Sequence, residues 1–254
     1  MLGNRRLKQV LKAFVGRQHY IALVNMYRHY PEWRDNVHRY LTGGGHYPYN
    51  IKVKTPAGMI CPTLYSHHDL LTVNEIFCRL DYFASDDIKT IVDLGSNIGI
   101  SALYFLTRNT ASKCYLYEPD LRNVEKLRKN LVGFEDRYHL SVKAVSYEDG
   151  EVEFGIEATG RYGGIGLKTG KHIRVDCVHI NGVMESILEK EERIDILKID
   201  TEGVETETVN AIGVKHLSRI KKIYLEANPT YELRPELFKQ MQYGSVCQLV
   251  NRNI

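Results

Sequence analysis

Apolar residues recur along this chain with two different periods, and the period changes near residue 90. Before that point the spacing is mostly helical. Leu7, Val10, Leu11 and Phe14 fall three or four residues apart, and Ile21, Leu23, Val24 and Tyr27 resume the pattern after Gly16. Such spacing puts the apolar side chains on one face of a helix. Pro31 opens a second short helix or turn, and Gly43-Gly44-Gly45 breaks it. Residues 51–54 alternate as a strand, Pro56-Ala57-Gly58 turns, and residues 59–61 return, which predicts a small hairpin. Residues 70–83 predict a further amphipathic helix with Leu71, Asn74, Phe77 and Cys78 on one side.

Beyond residue 90, short apolar runs alternate with helical stretches. Strands are expected at 91–94, 114–117, 140–145, 172–178, 195–200, 222–226 and 246–250. Helices are expected from the turn after 94 to about 108, and at 121–131, 183–188, 204–217 and 235–242. Residues 151–154 read as a hairpin excursion. Strands alternating with helices imply right-handed crossovers and a mostly parallel sheet. The expectation is an α/β core over 70–254, preceded by a helical and hairpin extension over 1–69.

Composition narrows the functional classes. The 254 residues suffice for one large α/β domain with a modest appendage. No apolar run approaches the roughly 18 residues of a transmembrane helix. The first 20 residues are basic but lack a sustained apolar stretch and a cleavage site, so they read as an amphipathic helix and not a signal peptide. The 34 basic and 31 acidic residues nearly cancel, which argues against the basic stripe of a nucleic-acid binder. Five cysteines lie far apart with no CxxC pair, which excludes zinc-ribbon and thioredoxin-like readings. Reduced thiols and a cytoplasmic location are expected. Tyrosine is abundant, 17 against a single tryptophan, and eight lie in the first 82 residues near His19, His29, His38 and His46. Rings with a polar tip suit a lid over a hydroxylated acceptor, a homodimer interface, or packing of the extension.

The most informative stretch is Asp93-Leu94-Gly95-Ser96-Asn97-Ile98-Gly99, where an apolar strand ends in a glycine turn that opens a helix. Glycine permits close approach of backbone to a ligand, and Asn97 is the next-best residue for left-handed backbone. The spacing is G-x-x-x-G, so the dinucleotide fingerprint is not met. Glu118 follows Gly99 by 19 residues, at the end of the second strand. A carboxylate there can accept both hydroxyls of a ribose. A ribose acid without a pyrophosphate turn suits a nucleoside lacking phosphates, and S-adenosylmethionine is the candidate.

A second dense stretch is Lys198-Ile199-Asp200-Thr201-Glu202-Gly203-Val204-Glu205. Asp200 ends a strand, where open α/β sheets bind ligands. Lys198 shares its strand face and, inside an apolar strand, needs a carboxylate partner, either Asp200 or Glu226. Glu226 and Asn228 end the next strand and extend the rim. One carboxylate would act as general base on a substrate hydroxyl, or position it. Alternatively, Lys198 makes a structural ion pair, and Glu202 and Glu205 complement the following helix. His67-His68-Asp69 offers another base or a set of surface polar residues. Asp200, Glu226 and Asn228 are hard oxygen ligands that suit Mg²⁺, but no tight D-N or D-D pair accompanies them, and no metal is assigned.

At these residues the chain resembles the FkbM-type methyltransferase family. The matching stretches are VDLGSNIG (92–99), LYEPD (116–120), AVS with EDGEVEF (144–154), LKIDTEGVE (197–205) and LEAN (225–228), with Glu75 at an upstream acidic position. The resemblance covers about residues 70–228. It implies a class I, Rossmann-like fold with helices on both sheet faces, S-adenosylmethionine as methyl donor, and O-methylation of a sugar, glycan or natural product. By resemblance, Asp93, Gly95, Asn97 and Gly99, with Ser96 between them, shape the methionine end of the cofactor site. Glu118 holds the ribose, Ala144 lies near the adenine, and Asp200 lies at the methyl-transfer end; Asp200, Lys198 and Glu226 are the catalytic candidates. The family continues into a final strand pair, whereas only one terminal strand is legible here. Arg5, Arg6, Lys8, Lys12 and Arg17 keep an RNA methyltransferase as an alternative, and a non-catalytic cofactor-binding regulator is the other.

Overall fold

A computed structural model describes residues 17–156, 163–165 and 171–254. The helix expected at 7–14 lies outside them. The chain divides into two compact units, Met1–Phe83 and Ala84–Ile254.

In the front unit, helices α1 (Arg17–His29) and α2 (Trp33–Thr42) precede short strands β1 (Tyr49–Asn50), β2 (Val53–Thr55), β3 (Gly58–Ile60) and β4 (Thr63–Leu64). The expected hairpin is the β2–β3 pair. Helix α3 (His67–Val73) starts at a capping box: Asp69 N–H donates to Ser66 Oγ at 3.3 Å, and Asp69 Oδ2 accepts from Ser66 N–H at 2.9 Å. That reciprocity satisfies backbone donors the helix leaves unpaired. The helix expected to run on to residue 83 instead widens into a π-helical stretch, Asn74–Arg79, and ends at Leu80 with φ 62°. The tyrosines divide. Tyr20 and Tyr27 are exposed, while Tyr30 is buried and donates to Asn74 Oδ1 at 2.8 Å.

The second unit carries β5 (Thr90–Leu94), α4 (Ile100–Leu106), β6 (Lys113–Tyr117), α5 (Leu121–Asn130), β7 (Tyr138–Ser141), β8 (Ala144–Ser146), β9 (Gly150–Ile156), β10 (Gly163–Ile165) and β11 (His172–His179). There follow α6 (Ile180–Leu188), β12 (Ile194–Ile199), α7 (Glu205–Ala211), α8 (Val214–Leu217), β13 (Ile220–Leu225), β14 (Phe238–Tyr243) and β15 (Val246–Asn251). Seven strands form one sheet in the order β14-β15-β13-β12-β5-β6-β7. From β13 through β7 every pairing is parallel, and β15 runs antiparallel to β13. The chain starts at the middle strand, β5, builds outward through β6 and β7, then returns to β12 on the other side. Crevices in such sheets open where that direction reverses, outside the carboxyl ends of the strands.

Side-chain alternation assigns the two faces. Val92, Leu94, Leu197 and Ile199 join one apolar cluster with Ile180, Val183, Met184, Ile187, Val209 and Leu217 from α6, α7 and α8. Asp93 points to the opposite face, where Ser101 of α4 donates to it at 2.5 Å. Helices therefore cover both faces.

Three expectations are corrected. Residues 140–145 are not one strand: Val142 and Lys143 are exposed, β7 ends the large sheet, and β8 enters a four-stranded sheet ordered β10-β9-β11-β8. The helix expected at 204–217 breaks at Gly213, whose N–H donates to Asn181 Oδ1 at 2.8 Å. Residues 235–242 are not a helix; β14 makes a six-residue antiparallel ladder with β15 through Gly244, at φ 61°. Two-residue hairpin turns need such backbone. The final strand pair is therefore present. No helix among the described residues is long and apolar enough to cross a membrane.

Candidate functional site

The glycine turn sits at the reversal point of the sheet. Gly95 has φ 77°, and a Cβ there would lie 1.9 Å from the Asp200 carbonyl oxygen. Only glycine lets the turns after β5 and β12 touch in this way. Asp200 N–H also donates to Leu94 O at 3.1 Å. Gly95 and Ser96 N–H both donate to Tyr117 O, at 2.9 and 3.0 Å. Ser96 is buried and its hydroxyl donates to Asp93 O at 2.9 Å. Asn97 takes φ 47°. Gly99, at φ 85°, caps α4, and a Cβ there would meet Leu127 of α5 at 3.1 Å.

Glu118 lies one residue beyond β6, next to that turn. Its Oε2 accepts Asn97 N–H at 2.8 Å; its Oε1 accepts Asp120 N–H at 2.9 Å and Asn123 Nδ2 at 3.4 Å. Among the described residues no cation pairs with it. Burial pushes the carboxyl up to about 7, against the opposing pull of the Asp120 and Asn97 N–H groups. Two carboxylate oxygens offer about four acceptor sites, so capacity remains for further donors. The Glu118 N–H donates to Ser141 O at 3.2 Å. Tyr117 and Ser141 are also part of the lining of a groove of about 510 Å³, with Lys143, His179, Asn181 and Ser186. Ala144 is buried in β8 opposite Cys177 of β11.

On the other side of Gly95 is a charge network. Lys198 is 2% exposed. Its Nζ lies 3.0 Å from Asp93 Oδ1 and 3.1 Å from Asp200 Oδ2, and donates to Gly95 O at 3.1 Å. Burial alone would lower the ammonium, but Asp200 and Asp93 outweigh it and hold it above the ordinary lysine range. Asp200 was one of the two partners foreseen for Lys198. A second contact is with Asp93, which register pairs with Lys198 across β5 and β12, and the Lys198 charge also reaches Glu226. Glu226 directly follows β13 next to β12, its N–H donating to Ile199 O at 3.2 Å just past the ladder pair Ile199–Leu225. The Asp200 charge, then burial, push the Glu226 carboxyl up to about 8.

Other candidates have local partners. Asn228 Oδ1 accepts Gln242 Nε2 at 2.8 Å. Glu205 accepts Thr201 and Gly203 N–H at 3.1 and 3.0 Å, bracing the loop after Asp200. Glu75 belongs to the front unit, in its π-helical stretch, and pairs with Arg79 at 3.4 Å. Asp69, of the His67-His68-Asp69 run, serves the α3 cap. Sequence reasoning missed Ser101, Asn123 and the Asp93–Lys198 pair. Only the placement of α4 and α5 and the strand order bring these together. Among the described residues, no group of three or more His, Cys, Asp or Glu has the geometry to hold a metal ion.

Comparison with known proteins follows the same residues. A family model described as Methyltransferase FkbM domain matches residues 93–248. Among curated proteins none matches this chain. Similar solved structures include methyltransferase FkbM from Methylobacillus flagellatus KT, at 14% identity and TM-score 0.44, covering 72% of this chain and 54% of that one. This chain thus spans about half the length of that protein. A methyltransferase from Geobacter sulfurreducens is 14% identical over 71% of this chain and 78% of its own, with TM-score 0.39. M. capricolum TrmK in complex with S-adenosyl-homocysteine is 11% identical over 72% and 68%, with TM-score 0.35.

Proposed function

The chain belongs to the FkbM methyltransferase family, and from that premise we propose that it is an S-adenosylmethionine-dependent O-methyltransferase acting on a hydroxyl of a sugar, glycan or natural product. The enzyme class, the cofactor and the class I fold come with the family and the seven-stranded sheet. The hydroxyl acceptor and the residue roles are the proposal.

The observation that carries it is Glu118. It is a buried carboxylate at the carboxyl end of β6, held by two backbone N–H groups and Asn123, with no cation among the described residues and acceptor capacity left over. A ribose diol supplies two neutral donors to such a group and compensates its desolvation. The groove beside Tyr117 and Ser141 gives the base of the nucleoside room. The backbone of Gly95 to Gly99 would follow the methionine end, and Asp93 and Asp200 give that side the negative charge a sulfonium and an ammonium prefer. When bound, the cofactor supplies an already activated methyl group.

The protein is then left to align oxygen, methyl carbon and sulfur, and to receive a proton. The rim formed by Asp200 and Glu226 is the place for the acceptor hydroxyl, because both carboxyls stand at the ends of neighbouring strands and Asp200 lies against the glycine turn. Lys198 is enclosed and paired on two sides, which suits positioning and not proton transfer. Calorimetric titration with S-adenosylmethionine tests the cofactor site: binding is expected, and its abolition by Glu118→Ala would locate it. A labelled-methyl screen over glycosides, hydroxylated small molecules and RNA tests the acceptor class. Transfer to hydroxylated small molecules or glycosides is expected, and incorporation into RNA alone overturns it.

A further inference from the structure

Asp200 sits where β12 leaves the sheet, and the peptide that follows it is held at both ends. The last ladder pairs of β12 join Ile199 to Leu94 and to Leu225, and Asp200 N–H still donates to Leu94 O at 3.1 Å. The carbonyl of the next peptide is the Asp200 oxygen that a Cβ on Gly95 would meet at 1.9 Å. The N–H of that same peptide belongs to Thr201 and donates to Glu205 Oε1 at 3.1 Å. Gly203 N–H donates to the same carboxylate, at 3.0 Å to Oε1 and 3.1 Å to Oε2. Around these donors the backbone takes positive φ twice in succession, 57° at Glu202 and 117° at Gly203. Such backbone is unfavourable for a residue with a Cβ, so the turn needs holding. Successive N–H groups in a turn of this kind make a concavity for an anion. Glu205, 6% exposed, fills it from within the chain. The Thr201 hydroxyl is buried without a hydrogen-bond partner among the described residues and adds nothing to the hold.

We infer that Glu205 is a positioning residue for methyl transfer: through the Asp200–Thr201 peptide it sets the backbone of Asp200 against the cofactor turn. This rests on the methyltransferase reading of the site. Lys198 holds the Asp200 carboxylate and Glu205 holds the peptide behind it, so side chain and backbone have separate anchors. Rotation of that peptide would draw the Asp200 carbonyl away from Gly95 and swing the carboxylate off the rim. Alignment of the acceptor oxygen with methyl carbon and sulfur is sensitive to such a shift, a misplacement of about 1 Å costing about 100-fold in rate. Glu205 acts only through the peptide. The simpler role for an acid at this place is to complement the N-terminus of α7 by its charge. That role needs the charge and not the reach to Thr201 and Gly203, and the two roles separate on substitution.

The test uses the full chain and two substitutions. Glu205→Gln removes the charge and keeps an oxygen within reach of the Thr201 and Gly203 N–H groups. Glu205→Asp keeps the charge and draws the oxygens back by one methylene. Amide hydrogen exchange without cofactor reads the brace. Thr201 and Gly203 should exchange at least about tenfold faster in Glu205→Asp, the equivalent of one lost hydrogen bond to a charged group. They should stay near wild type in Glu205→Gln, with Val209 of α7 protected in both variants. Wild-type exchange in Glu205→Asp, or loss of protection at Val209 there, overturns the inference. With the acceptor found by the labelled-methyl screen, kcat should fall about 10- to 100-fold in Glu205→Asp. Glu205→Gln should keep it within about threefold, and both should bind S-adenosylmethionine within about threefold of wild type. A Glu205→Asp enzyme with wild-type kcat, or a Glu205→Gln enzyme equally impaired, overturns the inference alone. Absence of S-adenosylmethionine binding to the wild type sinks the cofactor reading and the catalytic half of the inference with it, while the exchange rates still decide the brace.

Discussion

Two carboxylates flank the same glycine turn, and the protein holds them by opposite means. Glu118, on the β6 side, is buried against two backbone N–H groups and Asn123, with no cation among the described residues. Asp200, on the β12 side, is tied to a lysine that is itself 2% exposed and tied to Asp93. Backbone donors leave a carboxylate with spare acceptor sites and an incompletely repaid desolvation, so it is ready to exchange solvent for a ligand's hydroxyls. A buried ion pair has its electrostatics settled within the fold, because removing either partner strands a charge. On the proposed reading, one side of the turn receives the ribose and the other stays fixed.

The strongest way to break this comparison is Lys198→Met. It leaves Asp93, which is fully buried, and Asp200 without their shared cation, and should cost about 3–5 kcal/mol. Urea unfolding at pH 7 measures it. Adding Asp93→Asn should recover part of the loss; a Lys198→Met protein of wild-type stability would mean that the network is not structural.

Glu118→Ala comes next. Losing two hydrogen bonds to a charged group should weaken S-adenosylmethionine binding at least about 100-fold, since such bonds contribute roughly 1.5–3 kcal/mol each. Calorimetry reads this directly. An affinity within threefold of wild type, the ~threefold being set by ordinary measurement scatter and far below the predicted loss, contradicts the exchangeable role.

A third effect is smaller and depends on pH. The Glu118 carboxyl is raised to about 7 in the folded protein without cofactor. Between the ordinary carboxylate range and that value the folded state holds a proton that the unfolded state has lost. Its contribution to stability is therefore full at low pH and lost as pH rises through 7. Glu118→Gln should flatten that decline in pH-dependent unfolding. Ribose hydroxyls donate best to the ionised carboxylate, so S-adenosylmethionine should bind about tenfold more weakly at pH 6 than at pH 8. An affinity independent of pH across this window counts against the assignment. The smallest effect belongs to Asn97→Gly. Asn97 sits at φ 47°, where glycine relieves strain but loses more chain entropy on folding. The two nearly offset, and the urea midpoint should shift by the equivalent of about 0.5 kcal/mol or less.

Legibility in the sequence followed how local each feature is. The glycine turn and Glu118 were readable because a strand end, a turn and a helix start lie within a few residues, and because adjacent parallel strands fix the interval to the next one. The partner of Lys198 was half readable. Its need for a carboxylate follows from an ammonium inside an apolar strand. Asp200 lies two residues away on the same strand face, but Asp93 is a partner only because β12 pairs with β5. Strand β14 was expected as a helix at 235–242, although Gly244-Ser245 between two runs is a recognised hairpin signal. There the antiparallel pairing with β15 decided the strand. The split of residues 140–145 between two sheets left no local mark beyond the polar Lys143.

By itself the sequence determined the α/β alternation, the place of the glycine turn, the acid after the second strand and the acidic strand end, since each is written in consecutive residues or in a fixed interval between neighbouring strands. The tertiary structure decided which charges meet: that Asp93 and Asp200 share Lys198, that the Asp200 charge reaches Glu226, and that Glu118 is held by two backbone N–H groups and Asn123, with no cation among the described residues. Strand order sets those encounters, and strand order comes from how the apolar faces pack, which no short stretch of the chain encodes.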